Sequence, residues 1–175
     1  MTDSTLALLV FLFPLAFSPG PGNLFFAALG ARGPLREAAA PMAGYHMATW
    51  AVTVAMGLGA FGMVQVLPGL TRWLGYAGAG YLLFLAAGLL RAGPGSGLNS
   101  PDRAGIGTGA ALLLLNPKAY VIIALMFAQF AEAAGSPGGV VWIATVFTLN
   151  NLAAFALWTV LGERLAAICG AGRCG

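Results

Sequence analysis

Ser18-Pro19-Gly20-Pro21-Gly22-Asn23 sits inside an uncharged, mostly apolar run that reaches from Ser4 to Ala31. A run of that length crosses a bilayer once as a helix. Pro19, Gly20, Pro21 and Gly22 cannot continue such a helix, because each proline lacks an N–H donor and its ring collides with the carbonyl one turn back. In hydrocarbon the freed carbonyls meet no water, so a break is tolerated only within the protein or beside a water-filled cavity. The stretch therefore predicts a broken membrane helix. Breaks of this kind surround the substrate and ion sites of secondary transporters.

The rest of the chain agrees with a membrane setting. Its 175 residues fit one domain, 59% of them hydrophobic and 7% charged, with a mean hydropathy of +0.88. Soluble domains carry about 25% charged residues, so this composition marks an integral membrane protein. The net charge of +3 comes from scattered arginines, which give no nucleic-acid footprint and serve instead as topology markers. The first apolar run lacks a basic leader and a small-residue cleavage site, and Asp3 stands where a signal peptide would be positive. It is expected to be a retained helix. Cys169 and Cys174 lie in a glycine-rich tail, far in sequence from the single histidine, His46. A four-ligand zinc site is excluded, and no metal, cofactor or enzymatic chemistry is expected.

Taken in order, the chain predicts an all-α, polytopic transmembrane helix bundle of about five spans. The first runs from Thr5 to Leu29, interrupted at 18–22, and ends in a polar loop with Arg32, Arg36 and Glu37. The second, about 42–65, stops before Pro68-Gly69. Arg72 and Arg91 bracket the third, Trp73 to Leu90, whose Gly75, Gly78 and Gly80 suit close helix contact. Residues 92–105 form a linker of glycine, proline, serine and asparagine with Asp102 and Arg103. The fourth span, about 106–131, is broken in its middle by Asn116-Pro117-Lys118, and the fifth, about 140–161, carries Asn150-Asn151. Glu163 and Arg164 close that span, and 163–175 is expected to be a short tail. Arg32, Arg36, Arg91, Arg103, Arg164 and Arg173 fall on one side and Arg72 alone on the other. The positive-inside rule then puts the N-terminus outside and the C-terminus in the cytoplasm.

Residues 1–91 hold a broken helix followed by two plain spans, and 106–162 hold a broken helix followed by one. An odd number of spans per repeat inverts the second copy, and inverted repeats with broken first and fourth helices place a site where the two breaks meet. A half-helix beginning after Pro117 would turn its positive end and free N–H groups into the membrane centre, and Lys118 adds a cation there. Together these suit a carboxylate. The alternative for Lys118 is a long side chain that snorkels to the headgroups, and the alternative for 18–23 is a structural kink repaired by neighbouring helices. His46 titrates near neutral pH and is a candidate proton relay or a packing residue. Asn150, Asn151 and Gln129 are candidate polar lining or interhelical glue. The remaining aromatic side chains are read as interfacial belt and packing.

With these residues laid out, the chain resembles the LysE/RhtB family of bacterial amino-acid exporters. The likeness is carried by Pro19-Gly20-Pro21-Gly22-Asn23-Leu24, by Trp73-Leu74-Gly75-Tyr76-Ala77-Gly78-Ala79-Gly80-Tyr81-Leu82 with Leu89-Leu90-Arg91, and by Leu115-Asn116-Pro117-Lys118-Ala119 followed by Phe127-Ala128-Gln129-Phe130. The resemblance implies export of amino acids or similar small zwitterions, driven by the proton gradient, in the inner membrane. Members usually have a sixth apolar segment after a basic loop, whereas here Arg164 is followed by Cys169-Gly170-Ala171-Gly172-Arg173-Cys174-Gly175. Members often carry carboxylates where this chain has Tyr45-His46-Met47 and Asn150-Asn151.

The expected function is amino-acid export by alternating access. Pro19, Gly20, Pro21, Gly22, Asn23, Asn116, Pro117 and Lys118 are expected to form the substrate site, Lys118 neutralising the carboxylate and the broken backbone at 18–23 binding the amine or the coupling proton. Partners are then the amino acid and the lipid bilayer, with a homodimer through glycine-rich faces as a way to close the cavity. Two rivals are a truncated protein that is inactive or completed by a partner chain, and a thiol–disulfide electron carrier using Cys169 and Cys174.

Overall fold

The computed structural model describes residues 2–60, 104–130 and 135–171. The third span with Arg72 and Arg91, nearly all of the linker, and Glu132, Arg173 and Cys174 lie outside the described residues. Within them the fold is all-α, with no strand. Helix α1 (Thr2–Phe17) and α2 (Pro21–Arg32) are the halves of the first span, bent by 63° at the proline–glycine break. A 3₁₀ turn at Leu35–Ala38 leads into α3 (Ala39–Ala55), which loosens into a π turn at Met56–Ala60. Gly59 ends that turn with φ +111°, a left-handed conformation that glycine adopts without steric cost. Helices α4 (Ile106–Leu114) and α5 (Pro117–Gln129) are the halves of the fourth span, bent by 64°. The last helix, α6, runs from Pro137 to Ala171.

Both second halves begin with proline, the residue best suited to a first helical turn because its missing N–H has no partner there anyway. By length and composition, α6 and the two bent pairs account for three candidate spans among the described residues. The 35 residues of α6 reach about 50 Å at 1.5 Å per residue, beyond a hydrocarbon layer of about 30 Å. The tail expected from 163 onward is therefore corrected: the helix continues to Ala171, with Glu163 and Arg164 exposed on its surface. Charged side chains at a membrane surface do not interrupt a helix, and glutamate and arginine favour one.

Contacts give the helix directions. Ser18 meets Lys118 and Phe11 meets Phe130, so α1 and α5 run antiparallel. Trp50 bonds to Thr145 while Tyr45 packs on Phe155, so α3 runs against α6. Gly22 faces Phe155 and Gly30 faces Thr159, so α2 and α6 run in the same direction. Two crossings bring backbones into direct contact. A Cβ on Gly30 would overlap the Thr159 carbonyl, and one on Gly162 would overlap that of Ala27, which locks α2 to α6. Likewise Gly44 abuts the Ile106 carbonyl and Gly109 that of Pro41, which locks α3 to α4. Small residues at such crossings let helices gain close packing where lipid offers no hydrophobic drive.

The interior is filled from both ends. Phe26, Tyr45, Leu112, Leu113 and Phe155 form one buried cluster, and Leu8, Leu12, Ile123, Met126, Ile143 and Phe147 form another. Outside, Leu6, Val10, Phe13, Leu24, Met47, Leu149 and Leu165 are exposed. Helices apolar on every side fit a bundle whose outer faces meet lipid.

Candidate functional site

The first break leaves the carbonyls at the end of α1 without helical partners, the ordinary fate of a helix C-terminus. The Pro14 carbonyl keeps its ordinary partner four residues on, and the next four carbonyls each find a different donor. The Ser18 N–H donates to Pro14 at 3.1 Å, the Ser18 hydroxyl to Leu15 at 3.1 Å, Asn23 Nδ2 to Ala16 at 2.9 Å, and Trp158 Nε1 to Phe17 at 3.1 Å. The last carbonyl, of Ser18, accepts from Lys118 Nζ at 3.0 Å. Lys118 Nζ also donates to Ser18 Oγ at 2.9 Å. Lys118 thus does not snorkel outward: it crosses from one break to the other.

The second break is repaired mostly by itself. Asn116 caps α5, its side-chain oxygen accepting from the Lys118 N–H at 3.1 Å, and the Ala119 N–H donates to the Asn116 carbonyl at 3.1 Å. Pro117 has no N–H to offer. The free N–H groups expected at this end are therefore already used, and what the end of α5 presents is its dipole and the Lys118 ammonium. The other side of Asn116 reaches outward: Nδ2 donates to the Tyr45 hydroxyl at 3.1 Å, and Asn151 lines the same cavity. Tyr120 donates to the Leu114 carbonyl at 3.0 Å, closing the end of α4.

Between the breaks lies a cavity of about 20 Å³. Its polar lining is Asn23, Tyr45, Thr49, Asn116, Lys118 and Asn151, with Gly20, Pro21 and apolar side chains completing the wall. A water needs about 10–15 Å³ of such space, so there is room for one water and not for an amino acid. Among the described residues no carboxylate pairs with Lys118; its acceptors are the two Ser18 oxygens.

The structure thus brings Gly20, Pro21, Asn23, Asn116, Lys118 and Asn151 to one cavity. Gly22 is buried against Phe155, Pro19 is exposed at the bend, and Pro117 opens α5. His46, Asn150 and Gln129 are not part of this lining. His46 Nδ1, which must carry the proton to bond a carbonyl, donates to Met42 at 2.7 Å. Its Nε2 is turned toward the Asn151 backbone with no hydrogen bond of normal geometry, beside an open apolar groove between α3 and α6. Asn150 is half-buried with Nδ2 unpartnered among the described residues, and Gln129 is exposed at the end of α5.

Two residues of the site were not singled out from sequence, and of Ser18 only the backbone was, as part of the break at 18–23. Tyr45 was signalled only by its position beside His46. Trp158, read as belt or packing, instead caps an interior carbonyl, and nothing local in the sequence announces that bond. No cluster of potential metal ligands occurs among the described residues, and Cys169 is exposed on α6, away from the cavity lining.

The family model for LysE type translocators matches residues 13–173. No curated protein and no solved structure matches the chain.

Proposed function

Because the chain belongs to the LysE type translocator family, and is therefore a membrane transporter, we propose that it exports amino acids or related small zwitterions across the inner membrane by alternating access. The observation that carries this reading is the Lys118 ammonium at the cavity between the breaks, with no carboxylate beside it among the described residues. A lysine at the centre of a membrane helix costs about 2.5–3.5 kcal/mol on insertion scales. A substrate carboxylate would offset that cost directly, aided by the positive end of the α5 dipole. The cavity as it stands has room for a single water, so loading requires the two breaks to separate.

Orientation follows from charge. Arg32 ends α2, Arg36 follows in the 3₁₀ turn and Arg164 lies in the last turns of α6, all exposed, and the two helices run the same way. These arginines gather at one end of the bundle, which the positive-inside rule assigns to the cytoplasm. That leaves the N-terminus outside. Coupling to protons is part of the proposal. His46 is the candidate carrier, since its imidazole can take up and release a proton and its buried Nε2 has no hydrogen-bond partner among the described residues.

The test is efflux of preloaded, labelled amino acids from cells making the chain, beside cells making Lys118→Ala. Saturable efflux that the variant loses by about a hundredfold, the scale of a lost buried charge contact, is expected. Folded, membrane-inserted protein with no efflux of any amino acid would sink the proposal.

A further inference from the structure

The two oxygens of Ser18 hold an ammonium in this structure, and that ammonium belongs to the protein itself. We propose that the Ser18 carbonyl and hydroxyl form the seat for the substrate's own α-ammonium, occupied by Lys118 while the cavity is empty. This rests on the export reading above and adds to it a subsite, its chemistry and an exchange of ligands.

Three features make the seat one for a cation. Both acceptors lie at hydrogen-bond distance from Lys118 Nζ, 3.0 Å for the carbonyl and 2.9 Å for Oγ. The hydroxyl is already committed as an acceptor, since its own proton goes to the Leu15 carbonyl at 3.1 Å. The seat also stands at the C-terminal end of α1, where the helix dipole favours positive charge. Gly20 clears the approach: a Cβ there would lie 3.0 Å from Lys118 Nζ and 3.2 Å from its Cδ.

A zwitterion can exchange with this arrangement at two points. Its carboxylate draws the Lys118 ammonium off Ser18, and its ammonium takes the vacated oxygens. Each contact broken is replaced by one of the same charge type, so neither a bare cation nor a buried orphan acceptor is left. A carboxylic acid without the amine would release Lys118 but leave Ser18 unpaired, and an amine without the carboxylate would have nothing to draw Lys118 away. The site is thereby selective for molecules that carry both groups.

The experiment separates the seat from transport. Purified Lys118→Ala chain is melted in detergent with ethylammonium or tetramethylammonium. Ethylammonium, which can donate to both oxygens, should raise the midpoint saturably, and tetramethylammonium, which cannot, should not. Wild type, with its seat filled, should respond to neither, and adding Ser18→Ala to the variant should weaken the ethylammonium response about tenfold, the worth of one charge-assisted hydrogen bond. Equal responses to both cations, or an equal ethylammonium response from wild type, would overturn the seat. If Lys118→Ala does not fold, Ser18→Ala in the otherwise intact chain decides the matter: the preference for an amino acid over its deaminated acid should fall about tenfold, because the zwitterion replaces the hydroxyl contact that Lys118 gives up and the acid only breaks it. A parallel fall in both would overturn the proposal. Ammonium-selective stabilisation without any efflux would leave the seat standing and remove the export reading instead.

Discussion

The two breaks contain similar residues and are repaired in opposite ways. At 115–119 the chain closes most of its own loose ends: Asn116 caps the amide of Lys118, and Tyr120 reaches back to Leu114. At 15–18 the loose ends are carbonyls, and two of the four are satisfied from remote elements, by Trp158 on α6 and Lys118 on α5. The difference has a chemical origin. A helix start needs acceptors, which a neighbouring asparagine supplies, whereas a helix end needs donors, which local side chains rarely reach back to give. The first break consequently depends on the rest of the bundle, and the second can stand with little help.

This asymmetry can be broken by substitution. Asn23→Leu removes the buried donor to Ala16 and leaves that carbonyl unpaired; a loss of about 1–3 kcal/mol is expected, read as a lower unfolding midpoint in detergent. Trp158→Phe keeps an aromatic ring, though a smaller one, and strips the donor from Phe17; because Trp158 is only half-buried the loss should fall near the lower end, about 1 kcal/mol. Tyr120→Phe, at the self-repaired break, removes one neutral bond on the outer face and should cost about 0.5 kcal/mol, the low end for a single hydrogen bond. A Tyr120→Phe loss as large as that of Trp158→Phe would mean that the second break is no more self-sufficient than the first.

How far the sequence revealed this arrangement depends on distance along the chain. Proline and glycine at 19–22 and Asn116-Pro117 act through the local backbone, so both breaks were legible, as was the all-helical fold. The cavity between them was expected from the pattern of broken spans, and Gly20, Pro21, Asn23, Asn116, Lys118 and Asn151 do line it. What was not legible is which side chains cross from one element to another. Trp158 finds Phe17 over a separation of 141 residues, and only the packing of α6 on α1 sets that meeting. Tyr45 and His46 are neighbours in sequence, yet successive residues on a helix point about 100° apart, so one reaches the cavity and the other the groove. The extension of α6 past Arg164 escaped for a different reason: charge marks where the membrane ends, not where the helix does.

The glycine crossings carry a mechanical consequence. Helices touching backbone to backbone have no layer of side chains to slide on, so α2 with α6, and α3 with α4, behave as two stiff plates. Each break is a joint at the margin of one plate: the first couples α1 to the α2–α6 plate, the second couples α5 to the α3–α4 plate. The tie from Lys118 to Ser18 runs from joint to joint. Releasing that clasp would remove the tie between the joints while leaving each bound to its neighbours, Phe17 by Trp158 at the first and Asn116 to Tyr45 at the second.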